Sequence, residues 1–181
     1  IRPASSRGTS PAAVAACGTA SAVNAANVSR TVDSSAPWVG YMNVFELPSA
    51  GGGYVFGSPW GVADLDAGFT GPNAFVTPTT VIARNNPLTD AFWWKPDGSP
   101  NKQMEANYFV ELNTLAQNDL LNFSGIVLSN TLTASHTSSA FIKVLDPSNG
   151  FALVDFVSTP LVPGPFSISQ VINLPGTIVQ Y

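Results

Sequence analysis

The chain has 181 residues, enough for one domain with a proper core, and its 45% hydrophobic content excludes a disordered chain. Charged side chains make up only 10%, with 1 His and 1 Cys, so little of the usual material for metal centres and proton shuttles is present. A net charge of −4, with 7 Lys and Arg residues that form no patch, argues against nucleic acid. No apolar run approaches the ~18 residues that span a bilayer.

Residues 1–31 are rich in Ala, Ser, Thr and Gly and carry no large aromatic side chain, which reads as a linker or an arm that orders against a partner. Opening on Ile1 rather than Met reads as a processed or excised chain. Cys17 has no intramolecular partner, so no disulfide framework is expected. Residues 32–181 change to short apolar runs broken by Gly, Pro, Asn and Asp, the punctuation of an all-β module. Alternation predicts strands over 39–47, 61–69, 75–82, 103–111, 120–128, 139–145, 151–158, 165–171 and 177–181, with a helical turn possible within 114–121. Turns are expected at Gly51-Gly52-Gly53, Pro96-Asp97-Gly98, Asp146 to Gly150 and Pro163-Gly164-Pro165. Gly125, inside a strand, implies a bulge or a close approach. The predicted architecture is a jelly-roll-like antiparallel β-sandwich with an irregular N-terminal extension.

Two strands collect polar groups on one face. In 61–69, Asp64 and Asp66 alternate with Ala63, Leu65 and Ala67. In 103–111, Gln103, Glu105, Asn107 and Glu111 oppose Met104, Ala106 and Tyr108. Carboxylates so placed could meet sugar hydroxyls, and Asp64 with Asp66 could hold Ca²⁺, which prefers oxygen ligands. The plain alternative is the solvated face of a sandwich.

Aromatic side chains form the other candidate. Trp60 lies in Gly57-Ser58-Pro59-Trp60-Gly61, read as a loop, and Trp93 and Trp94 are adjacent, so in extended chain they face opposite ways. An exposed Trp offers a flat apolar face to sugar C–H groups and a polar N–H at its edge, although core packing is the commoner fate of Trp. Beside them Lys95, Asp97, Asn101 and Lys102 form a polar loop that reads first as an Asp-Gly turn.

Catalysis finds little to work with. His136 sits in a polar loop, and no Gly-x-Ser-x-Gly elbow exists. A glycosidase or polysaccharide lyase would need Glu105 facing Asp64 or Asp66 across a cleft. Non-catalytic binding is therefore the expectation.

From Ala36-Pro37-Trp38-Val39-Gly40-Tyr41-Met42-Asn43-Val44-Phe45-Glu46-Leu47-Pro48 onward the chain resembles a β-sandwich module of secreted bacterial surface proteins. The likeness continues through Gly57 to Leu65, Asn101 to Asn107, Phe123-Ser124-Gly125, Leu128 to Leu132 and Ala140 to Lys143. No catalytic residue follows from that resemblance. It implies an extracellular or cell-surface setting, and its texture is similar to that of jelly-roll carbohydrate-binding modules. Two features depart from the pattern. The first thirty residues match nothing in it, and such modules run on into a further strand where this chain stops at Tyr181. An unfilled edge would admit a strand from another chain, and Ala20 to Val32 could serve as that donor through self-association.

The sequence thus predicts a polysaccharide-binding module using Trp60, Trp93, Trp94, Asp64, Glu105 and Asn107, with Ca²⁺ as a possible cofactor at Asp64 and Asp66. The second expectation is a structural subunit of a surface layer or filament.

Overall fold

The computed structural model describes residues 24–62, 64–65, 67–69, 90–134 and 136–181. Within them ten strands form: β1 (Asn27–Thr31), β2 (Val39–Glu46), β3 (Tyr54–Pro59), β4 (Lys102–Phe109), β5 (Glu111–Leu112), β6 (Leu120–Val127), β7 (Ser139–Asp146), β8 (Ala152–Pro160), β9 (Gly164–Val171) and β10 (Ile178–Gln180). They make three sheets, in the orders β1-β6-β9, β5-β10-β7-β8 and β3-β2-β4. Every pairing is antiparallel except that of β1 with β6.

The first two sheets close on a shared core, and strict alternation explains why. Along β7, Ala140, Ile142 and Val144 are buried while Phe141, Lys143 and Leu145 stay half-exposed. Leu121 and Phe123 of β6, Ile168 of β9 and Val179 of β10 meet them from the other strands. This is the all-β sandwich expected from the sequence; a jelly-roll strand order is a further step that these sheets do not define. Gly125 provides close packing, since a methyl group there would sit 2.6 Å from the Phe166 ring. The third sheet has its own small core of Met42, Val44 and Leu65. Val110 links the two regions, exchanging hydrogen bonds with Tyr181 (N to O 3.0 and 3.2 Å) as the chain passes from β4 to β5.

Among the described residues the first strand is β1, inside the segment 1–31 set apart by composition. Asp119 fastens it, accepting from the Ala26 N–H at 2.7 Å and from the Ala116 N–H at 2.7 Å. Residues 27–31 of the segment expected to donate a strand elsewhere therefore pair with their own β6. The rest of that segment up to residue 23 lies outside the described residues, as does the strand expected over 75–82.

Two readings of local structure need correction. The stretch 61–69 contains no strand among its described residues. The Asp64 carboxylate accepts from the Gly61 N–H at 2.9 Å while the Asp64 N–H returns to the Gly61 carbonyl at 2.9 Å, and that local bonding outcompetes a ladder. Conversely β3, read as a loop because of Gly57, Ser58 and Pro59, is a strand; it is the outer strand of its sheet, and its Pro falls at the last position, where no ladder donor is needed. The helical turn considered within 114–121 is a tight turn at Gln117 and Asn118, the latter at φ 73°.

Candidate functional site

The sheet β3-β2-β4 positions every described candidate except Trp94. Its pleat sends Met42 and Val44 of β2, Phe56 and Ser58 of β3, and Met104, Ala106 and Tyr108 of β4 to one side. Trp60 reaches this side through a close backbone crossing: Trp60 N–H donates to the Gly40 carbonyl at 3.1 Å. A methyl group on Gly40 would collide with the Trp60 carbonyl oxygen, so only glycine allows that approach. The turn after Trp60 inserts Leu65, fully buried, against Met42 and Val44, and Tyr108 Oη secures it by donating to the Leu65 carbonyl at 2.7 Å.

Trp93 arrives on a turn built around Asp90. The Asp90 carbonyl accepts from the Trp93 and Trp94 N–H groups at 3.1 and 2.9 Å, and its carboxylate accepts from the Phe92 N–H at 2.9 Å. Asn101 braces the same turn, its side-chain amide donating to the Ala91 and Phe92 carbonyls at 3.2 and 3.1 Å. The polar loop beside it serves the fold: Asp97 accepts from Ser99, and Lys102 pairs with Glu46 at 3.2 Å and lies 5.2 Å from the centre of the Phe92 ring. The Ser99 hydroxyl and N–H hold the Asp97 carboxyl below its ordinary range.

The product is an open depression of about 390 Å³ lined by Met42, Phe56, Ser58, Trp60, Asp90, Phe92 and Trp93. Phe92 meets Trp93 edge-on at 4.9 Å and Phe56 at 6.0 Å, so the aromatic walls brace one another. Trp60 and Trp93 are half-buried, each with one surface on the Met42 core. Trp94 is elsewhere, half-buried at a bridge to Pro100.

The acidic candidates fall on other ground. Glu105 and Asn107 do share a face of β4, opposite Met104, Ala106 and Tyr108, as alternation requires, but that is the far side of the sheet from Trp60 and Trp93. Asn107 is buried, taking a hydrogen bond from Lys143 Nζ at 3.1 Å, and Lys143 lies 3.7 Å from the Glu105 carboxylate. Asp64 is exposed at its turn, which packs on the Trp side, so Asp64 and Glu105 do not face each other across a cleft. Asp66 lies outside the described residues. Among the described residues no group of three His, Cys, Asp or Glu side chains comes together to hold a metal ion, and Asp64 spends a carboxylate oxygen on its own turn. His136 is exposed, with Nδ1 2.8 Å from the Thr133 hydroxyl.

Sequence reasoning missed Phe56, Ser58 and Asp90, and gave Phe92 no role. The signal for the first two was Phe56 and Ser58 flanking Gly57 at a spacing of two, obscured by the register shift at Val55 and by the turn-like residues around them. No match to the chain was found among family models, curated proteins or solved structures.

Proposed function

We propose that the protein is a secreted, non-catalytic carbohydrate-binding module of the extracellular or cell-surface kind, with the Trp60–Trp93 depression as its platform. The observation that carries this reading is the convergence of two Trp and two Phe side chains on one open hollow that also holds Asp90 and Ser58. Sugar rings are amphipathic: their C–H faces pack on aromatic rings while their hydroxyls seek acceptors and donors at the rim. The hollow offers both. Its openness suits a chain passing through, as a polysaccharide would.

The test is retention on a panel of soluble and insoluble polysaccharides. Trp60→Ala and Trp93→Ala are expected to weaken retention roughly 10- to 100-fold, as for loss of a central aromatic anchor. Trp94→Ala should leave it unchanged. Retention undiminished by either of the first two substitutions would sink the assignment of the platform.

A second reading, a structural subunit of a surface layer or filament, draws on a different observation. Strand β8 is the outer strand of its sheet, and Leu153 and Phe156 along it are 58% and 47% exposed. An open apolar edge invites pairing with another chain. Sedimentation over a range of concentrations tests it: growth of assemblies, abolished by Phe156→Lys, supports this reading, and a monomer throughout removes it.

A further inference from the structure

The face of β3-β2-β4 turned away from the Trp depression carries a second convergence of side chains. Gly57, Asn43 and Glu105 form one row across the three strands, with Tyr41 one row to one side and Tyr54 to the other. A methyl group on Gly57 would sit 2.7 Å from Tyr41 Oη, 2.7 Å from Tyr54 Oη and 2.9 Å from Asn43 Oδ1. Three polar atoms thus crowd around one point above a mid-strand glycine. Glycine weakens a strand there, and any side chain would fill the notch. None of the three atoms has a hydrogen-bond partner among the described residues.

The surroundings hold these groups in place. Asn43 Nδ2 donates to Glu105 Oε2 at 3.3 Å, which turns Oδ1 toward the notch. Lys143 anchors Glu105 from the other side at 3.7 Å. Tyr54 is braced edge-on by Phe45 at 5.7 Å, and it leaves 61% of its surface open.

The chemistry of the notch selects its occupant. Two phenol hydroxyls can donate or accept, and an amide oxygen and a carboxylate edge accept. An anion would meet Glu105, and a cation would compete with Lys143 for it. A neutral polyol fits, because each sugar hydroxyl both donates and accepts, and the open Tyr54 ring offers a stacking face. Resting on the carbohydrate reading above, we propose that this notch is a second sugar subsite, so that the module holds one neutral glycan chain on each face of the same sheet. Two opposed sites make it a cross-linker whose avidity exceeds the affinity of either face.

The experiment uses the full chain labelled with 3-fluorotyrosine and 5-fluorotryptophan, titrated with soluble β-glucan, xylan and galactomannan. The Tyr41 and Tyr54 resonances, assigned by Tyr→Phe substitution, are expected to shift with the same polysaccharide that shifts Trp60 and Trp93. In a Trp60→Ala/Trp93→Ala background, Tyr41→Phe/Tyr54→Phe, which keeps both rings, should cut the residual retention by about 5- to 10-fold, the worth of two neutral hydrogen bonds. The wild-type chain should precipitate the polysaccharide and the Tyr double variant should not. Tryptophan shifts without tyrosine shifts would overturn the second subsite and leave the depression standing. Tyrosine shifts with silent tryptophans would uphold the notch and remove the depression. Silence of both with every polysaccharide would overturn the two together.

Discussion

The sandwich and the β3-β2-β4 sheet are built from the same kind of strand, yet they use their side chains differently. Among the described residues, eleven buried side chains fill the sandwich core, against three beneath the smaller sheet. In the sandwich each inward position meets another sheet, and apolar area leaves water from both sides. The smaller sheet has no facing sheet among the described residues. Its core is roofed by half-buried Trp60, Trp93, Met104 and Tyr108, side chains large enough to cover apolar surface while keeping one face in solvent. Rigidity comes from the first region and accessible aromatic surface from the second, which is why the proposed binding face lies on the sheet with the thinner core.

The sharpest way to break this comparison is to delete the same side chain in both regions. Leu121 and Leu65 are each 0% exposed. Leu121→Ala, in a core closed on both sides, is expected to cost about 4–5 kcal/mol, and Leu65→Ala, where the roof can settle, about 2–3 kcal/mol. Urea denaturation measures both, and equal losses would mean that the two cores are packed alike.

A smaller effect, with a functional readout, follows from Gly40→Ala. The added methyl collides with the Trp60 carbonyl, and relief of that overlap should cost about 1–3 kcal/mol. Because the strain is relieved by moving Trp60, glycan retention should fall in the variant even where it is fully folded. Unchanged retention would show that the position of Trp60 is set by something other than this crossing.

The smallest expected effect concerns acid. Backbone N–H groups of Ala26, then Ala116, hold the Asp119 carboxyl below its ordinary value of 3.8. A depressed carboxyl contributes stability that is present above its unfolded pKa and is lost as pH falls through the folded one. Since Asp119 fastens the segment leading into β1, acidification below that ordinary value should loosen β1 in the sandwich and spare the smaller sheet. Amide exchange at residues 27–31 across a pH series checks this, with Asp119→Asn expected to flatten the dependence. A wild-type profile as flat as that of the variant would contradict it.

How much of this was legible beforehand differs element by element. Strands β2, β4, β6, β7 and β9 could be read because apolar and polar residues alternate along them, as in Ala140 to Val144, and the period survives any partner. The same alternation separated Glu105 and Asn107 from Met104, Ala106 and Tyr108. It failed where local polar groups offered the backbone a different bond, as Asp64 does at Gly61. It failed again at β3, where Gly57 and Pro59 look like a turn although both have places in an outer strand.

The all-β class, most strand positions and the inward side of strands such as β2, β4 and β7 were readable from the chain alone, because these depend on a residue and its near neighbours. The grouping of Trp60 with Trp93, Phe56 and Asp90, and the convergence of Tyr41, Tyr54 and Asn43 over Gly57, arise from long-range packing. Both depend on register between strands remote in the chain: the pairing of Asn43 with Gly57 on one side and Glu105 on the other sets which side chains meet. A shift of two residues in either pairing would keep every inward face and still change which side chains meet, and nothing local to those residues specifies it.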